Sequence, residues 1–289
     1  MNTRLSCSLT TMEDDNNGGF QSTRPKLEIQ CGNSCENVAG TENTRRRRKK
    51  TAGCAAQRVF VAAVDMINHA LIILVTAYVV YCASDIKRYY ITNVHVILCT
   101  IGYVLLMSEA ILVLAGENIL TSAFSRQANK NIHWVLQVLG LICNLVGVGI
   151  MYNAKTVHFL STHGILGFAS LVIMCALAIF GYPVLIAVKL RKFVRPVVIK
   201  LVHNFLGIAC FVLGMLAQCY GYEKKWMYSL TQVENIDMAL LVLTAVIMLL
   251  SLRGALFSLA SQTFVLVRSI CPAISYRDVE SPGSSAGKS

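Results

Sequence analysis

The chain alternates between polar stretches and long apolar runs. After a polar stretch of more than fifty residues come six apolar runs, at about 59–83, 91–115, 132–152, 163–188, 197–220 and 236–252. Each is close to the roughly 20 residues that an α-helix needs to cross a ~30 Å hydrocarbon core. The pattern predicts an all-α membrane protein of six transmembrane helices in which helices 2–5 make a central four-helix bundle. It also predicts three parts: a tail over 1–57, a transmembrane domain over 58–252, and a second tail over 253–289. Residues 1–57 are rich in Asn, Gly, Ser and Thr and lack apolar periodicity, so they are expected to be disordered and cytosolic. They hold no apolar signal-peptide core, which leaves targeting to the first span.

Composition agrees with this reading. With 55% hydrophobic and 14% charged residues, the chain does not read as a soluble protein. The net charge of +11 would suit nucleic acid, but much of it lies in Arg45-Arg46-Arg47-Arg48-Lys49-Lys50, just ahead of the first span. There it reads as a topogenic patch that also suits anionic lipid headgroups. Six spans make nuclear import or nucleic-acid binding a poor fit. Lys and Arg are in excess on one set of flanks (the basic run, Arg58, Arg126, Lys130, Lys189, Arg191, Lys192, Arg195, Lys200, Arg253 and Arg268). The other set holds Lys87, Arg88, Lys155, Lys224 and Lys225. The excess places both chain ends in the cytosol, in an endomembrane or the plasma membrane. The eleven cysteines suggest no disulfide framework. Cys82, Cys99, Cys143, Cys175, Cys210 and Cys219 stand singly in apolar helices as small hydrophobes. Cys31 and Cys35 form a lone CxxxC without a second ligand pair, and no CxxCH for covalent haem attachment occurs.

The candidate chemistry lies in four histidines. His95, His133, His163 and His203 each stand near the start of one of the spans two to five, and an imidazole inside a membrane is costly without a partner. Spans two and four run inward, so His95 and His163 lie near the non-cytosolic face. Spans three and five run outward, so His133 and His203 lie near the cytosolic face. Two pairs result, each from two parallel helices. Two histidines facing one another in a bundle can hold one b-type haem, and two such haems would divide the electron path across the membrane. The alternative is hydrogen bonding between helices or a proton relay, and a relay would favour a file of titratable groups rather than two level pairs. Gly164, Gly167 and Gly207 suit a flat macrocycle, or ordinary helix packing. His69, within span one, reads as a packing or hydrogen-bonding residue. His158 lies in the loop before span four, either solvated or facing a substrate. Glu109 is 14 residues past His95, about 21 Å along the helix. It reads as a proton or hydrogen-bond partner, or as a buried acid tied to Ser108 or a neighbouring helix.

Four segments carry a resemblance. SRQANKNIHWVLQVLGLICNLVGVGIMY is similar to the third span of the cytochrome b561 family. NVHVILCTIGYVLLMSEAILVL, STHGILG and KLVHNFLGI resemble the second, fourth and fifth spans of its animal branch, the cytochrome b561 domain-containing proteins. The resemblance covers about 60–252. It implies a transmembrane oxidoreductase with two non-covalent haem b groups, His95 and His163 ligating the non-cytosolic iron and His133 and His203 the cytosolic one. It further implies that electrons pass from cytosolic ascorbate to monodehydroascorbate or ferric iron outside. Arg126, Lys130, Arg195 and Lys200 would then bind the ascorbate anion, although positive-inside signalling accounts for them equally well. The loop with Tyr152, Asn153, Lys155 and His158 would meet the acceptor. The chain departs from the ascorbate-handling branch at two places. It has Thr121-Ser122-Ala123-Phe124-Ser125-Arg126 where that branch has a Tyr-Arg-Val-Phe-Arg-like run, and Thr162-His163-Gly164-Ile165 where it has Leu-His-Ser-Trp. Competing readings are a haem-free proton-coupled transporter and the haem-bearing anchor of a larger redox complex. The lipid bilayer is a partner in every reading, and a homodimer is compatible with each.

Overall fold

The computed structural model describes residues 40–84, 86–115, 123–185, 195–224, 226 and 233–270. Contacts divide the chain into two units, residues 1–50 and 51–289. Of the first unit only 40–50 are described, and they are helical. All regular elements among the described residues are helices: α1 (Gly40–Ala83), α2 (Ile86–Thr100), a π-helix (Ile101–Met107), α3 (Ser108–Leu114), α4 (Arg126–Ala154), α5 (Thr162–Leu185), α6 (Pro196–Tyr222) and α7 (Ile236–Ile270). They contain six stretches long and apolar enough to cross a membrane: Val59–Ala83, Tyr90–Leu114, Arg126–Ala154, Thr162–Gly181, Pro196–Tyr222 and Ile236–Ser269. The protein is an integral, multi-pass, all-helical membrane protein.

Helix starts follow local rules. Ser125 stands in extended backbone before α4, and its hydroxyl accepts the amide of Ala128 at 3.1 Å. Ser161 does the same for Gly164 at 3.2 Å before α5. Both supply the oxygen that a first turn lacks. Pro196 opens α6, where its missing N–H costs nothing.

Helix extends into two stretches expected as tails. The tail expected over 1–57 is helical from residue 40, in a stretch whose Arg, Lys and Ala favour helix. Residues 1–39, with Cys31 and Cys35, lie outside the described residues. The sixth span does not stop at 252, and the tail expected from 253 is helical to Ile270. Arg253 read as a flanking charge, yet its guanidinium donates to Asp65 Oδ1 at 2.6 Å, so the helix carries it onward in an ion pair. Lys189, Arg191, Lys192 and Lys225 also lie outside the described residues.

The second span packs on α4, α4 on α5, α5 on α6, and α6 returns to the π segment of the second span, which closes a four-helix bundle. α7 lies against α6 and α3. The densest apolar core is off-centre. It is built from Ile72, Val75 and Val79 of span one, Tyr103, Val104, Met107 and Leu112 of span two, Phe211 and Met215 of span five, and Ile247 and Leu252 of span six. Spans three, four and five are far less buried than span two. Exposed Ile73, Leu74, Ile142, Val146, Phe180, Phe205 and Phe257 make outward faces suited to lipid.

The π-helix has a local cause. A Cβ on Gly102 would lie 2.5 Å from Asn144 Oδ1, so the Asn144 amide presses against bare backbone where the π segment begins. An inserted side chain is a recognised origin of such irregularities. The ring of Tyr103 likewise fills the position a Cβ would take on Gly214.

The Asp65–Arg253 pair joins the first and sixth spans and leaves the carboxylate almost wholly buried. Replacing Arg253 with Met strands that carboxylate and should cost about 2–3 kcal/mol. It should lower the thermal unfolding midpoint in detergent, and adding Asp65→Asn should recover part of the loss. An unchanged midpoint in Arg253→Met would show that the pair contributes nothing to stability.

Candidate functional site

Three of the four bundle histidines use one ring nitrogen in the same way. His95 Nδ1 lies 2.9 Å from the Gly147 carbonyl oxygen of α4. His133 Nδ1 lies 2.8 Å from that of Ala110 on α3, and His163 Nδ1 2.8 Å from that of Ala217 on α6. A carbonyl only accepts, so each Nδ1 donates and each Nε2 keeps a bare lone pair. A backbone acceptor behind one nitrogen is the usual arrangement of a metal-ligating imidazole, because it fixes the tautomer and raises ligand basicity. His203 differs, since its buried Nδ1 has no hydrogen-bond partner among the described residues.

These bonds mark two levels. His133 and Gly147 are 14 residues apart on α4, His203 and Ala217 are 14 apart on α6, and His95 and Ala110 are 15 apart along the second span. At 1.5 Å per residue each interval is about 21–22 Å. One level holds His95 and His163, whose ring centroids are 6.0 Å apart with planes at 86°. Two imidazole nitrogens bonded at about 2 Å to opposite sides of one metal ion place their rings roughly 6 Å apart. The other level holds His133 and His203, each seven residues after the first residue of its helix, α4 and α6.

The glycines separate into different roles. A Cβ on Gly147 would meet Cys99 Sγ at 2.9 Å, so its absence lets α4 approach the helix that carries His95. One on Gly221 would meet His163 Cε1 at 3.3 Å. Gly167, 3.7 Å from Ala217 Cβ, and Gly164, against Ser161, make ordinary helix contacts. Gly207, one turn beyond His203, faces open space, with nothing within 4 Å of a Cβ built there. Bare Nε2 atoms at three positions and, for His95 and His163, rings at metal-spanning separation fit a bis-histidine cofactor.

Between the levels Tyr103 donates to Ser170 Oγ at 2.9 Å, and Ser170 donates to the Cys210 carbonyl at 2.7 Å. Towards the His133 level a further polar cluster joins spans one, two and six. His69 Nδ1 is 2.8 Å from Glu109 Oε1, Asn68 donates to Ser251 Oγ at 3.0 Å, and Arg253 pairs with Asp65. Glu109 therefore pairs with span one rather than with Ser108. Sequence reasoning missed Asp65, Asn68 and Arg253. The available signal was three polar residues at i, i+3 and i+4 inside an apolar run, which share one helix face.

The remaining candidates lie at the ends of the bundle. Arg126 and Lys130 are exposed in the first turns of α4. Arg195 and Lys200 are exposed at the start of α6, and the Arg195 guanidinium donates to Ser269 Oγ at 3.2 Å. At the opposite end Lys155 and Asn153 are exposed. His158 Nε2 donates to the Tyr152 carbonyl at 2.8 Å, and its ring stacks on that of Tyr152 with centroids 3.9 Å apart. Next to it Phe159 holds a left-handed backbone, φ 59°, with its ring 4.6 Å from Phe168. Such a conformation is costly for a bulky residue.

The fold and these levels define a class, a six-span membrane protein with two tiers of paired histidines inside a four-helix bundle. Residues 94–228, which contain all four histidines, match the eukaryotic cytochrome b561 family. Over 136 residues the chain is 31% identical to the transmembrane reductase CYB561D2 of Homo sapiens and 30% identical to that of Mus musculus, in each case 46% of this chain and 61% of the relative. It is 26% identical to the probable transmembrane reductase CYB561D1 of Homo sapiens, over 46% of this chain and 59% of that protein. The chain thus spans about three-fifths of the length of the curated relatives it matches. Through this segment it is similar to the cytochrome b561 family.

The hydrogen bonds predict a tautomer pattern independent of any cofactor. Nitrogen-15 spectra of histidine-labelled protein without added haem should show Nδ1-protonated neutral rings for His95, His133 and His163. Nε2 protonation at these three positions would contradict the ligand geometry.

Proposed function

We propose that the chain carries electrons across a membrane through two non-covalent b-type haems, one held by His95 and His163 and the other by His133 and His203. The observation that carries the reading is the pair of histidine levels about 21 Å apart along three helices, with bare Nε2 atoms at three of the four positions. Bis-histidine haem supplies one-electron exchange between ferric and ferrous iron and leaves no open coordination site for substrate. The protein residues do the rest. The Gly147, Ala110 and Ala217 carbonyls hold three rings in the ligating tautomer, the open side of Gly207 admits the macrocycle, and the apolar spans keep water out. The names of the relatives, transmembrane reductases, support an oxidoreductase.

The excess of Lys and Arg on one side makes the His133/His203 end cytosolic and puts both chain ends in the cytosol. In this reading ascorbate is the cytosolic donor, and its anion is met by Arg126, Lys130, Arg195 and Lys200. The acceptor outside, monodehydroascorbate or a ferric chelate, meets the loop with Lys155 and His158.

The test is the visible spectrum of the purified protein in detergent. A Soret band whose reduced form appears on adding ascorbate is expected. No Soret band in a folded preparation removes the reading, and reduction by dithionite but not ascorbate removes only the donor. His133→Ala and His203→Ala should each abolish the same haem and leave the other reducible. Gly207→Leu adds bulk one turn beyond His203, where nothing lies within 4 Å of a Cβ, and should lower haem content by about half while helical content stays unchanged. If His133→Ala and His203→Ala removed different haems, the assignment of levels would be wrong.

A further inference from the structure

We propose that His69 and Glu109 form a proton-accepting pair that compensates the charge of an electron arriving at the His133/His203 level. The proposal rests on the electron-transfer reading above and adds a role for residues outside its four ligands.

His69 Nδ1 and Glu109 Oε1 are 2.8 Å apart, with side chains 8% and 22% exposed. Neither group is a haem ligand in the proposed scheme, and neither is needed to anchor the second span, which already packs on α4 and α7 through α3. Glu109 immediately precedes Ala110, the residue whose carbonyl takes the His133 Nδ1–H. The carboxylate therefore sits at the depth of that level, where a new negative charge is poorly screened. Ionisable groups inside a membrane are expensive and are expected to have a task.

The pair also has a route to solvent. Asp65 is one turn before His69 on the same face of α1, and it bonds Arg253, whose side chain is 39% exposed. Asp65 Oδ2 and Asn68 Oδ1 are buried atoms without a hydrogen-bond partner among the described residues, and both residues are 1% exposed. Two orphaned acceptors next to a half-exposed guanidinium suit a short water-filled path. The elements around the pair also carry Asp65 on α1, Arg253 on α7 and His133 on α4, with Arg126 and Lys130 exposed where α4 begins.

The step balances with the donor already named. Ascorbate monoanion loses one electron and one proton to become the monodehydroascorbate radical anion. The electron converts ferric to ferrous iron at the His133/His203 level. A proton adds to the His69–Glu109 pair by way of the Asp65–Arg253 end. When the electron moves on to the His95/His163 level, the proton leaves by the same path. The proton binds the reduced form more tightly, so reduction at this level is favoured at low pH and its midpoint potential falls as pH rises.

The experiment is a spectroscopic redox titration of the haem-loaded protein at several pH values, with Glu109→Gln and His69→Gln as variants. Gln at 109 keeps the size and the hydrogen bond but cannot take the proton. In the native protein the potential of the His133/His203 haem should fall with pH. Both variants should flatten that dependence while keeping haem content and leaving the His95/His163 haem unchanged. Infrared difference spectra on reduction give a second readout, a change at a carboxyl group or imidazole that Glu109→Gln abolishes. A pH-independent native potential, or a dependence that survives both variants, overturns the proposal while leaving the haem assignment intact. Absence of the Soret band itself would fail the electron-transfer reading instead.

Discussion

The structure depends on one kind of bond, an imidazole N–H given to a backbone carbonyl of the neighbouring helix. A carbonyl within a helix already accepts one amide, and its second lone pair is what His95, His133 and His163 use. The bond satisfies a polar ring that lipid would otherwise leave stranded. It fixes which nitrogen faces inward, and it ties one helix to the next at a defined residue. Interhelical hydrogen bonds in membranes contribute only about 0.6–2 kcal/mol each, so their importance here is in register. Two of them set the height of span two against span three, and the third sets that of span four against span five.

Packing follows from that arrangement. Where the bundle keeps its histidines, side chains are small or absent, as at Gly147, Gly207 and Gly221. Dense apolar packing lies where spans one and six meet spans two and five, through Ile72, Val75, Phe211, Met215 and Ile247, which are wholly or almost wholly buried. Stability and chemistry therefore occupy different sectors of the same bundle. The first and sixth spans contribute no histidine to the two levels and instead buttress spans two and five. They do so partly through polar bonds, Asp65 to Arg253 and Asn68 to Ser251, that link spans distant in sequence.

Much of this was legible in the residues. Apolar run length found all six spans and placed the first, second and fifth within two residues at both ends, because in a membrane every backbone group must be bonded within its own helix. The depth of each histidine followed from alternating helix direction alone. Less was readable where a charge is neutralised by a partner far along the chain. Arg253 resembled the end of a span, and only the buried Asp65, 188 residues away, explains why the helix continues. Residues 40–57 are helical within the stretch read as a tail, since polar composition does not distinguish a helix from an unstructured chain. The open space at Gly207 and the Phe159 backbone depend on three-dimensional placement that no linear pattern carries.

The π segment has a bearing on the two levels. α4 and α6 cover the interval in 14 residues, but the second span takes 15, and the seven-residue π turn lies within that interval. A π turn is a place where a helix stores a surplus residue without breaking. The second span thus works as an adjustable gauge rod: it has one more rung than its neighbours, yet both ends still meet the same two floors.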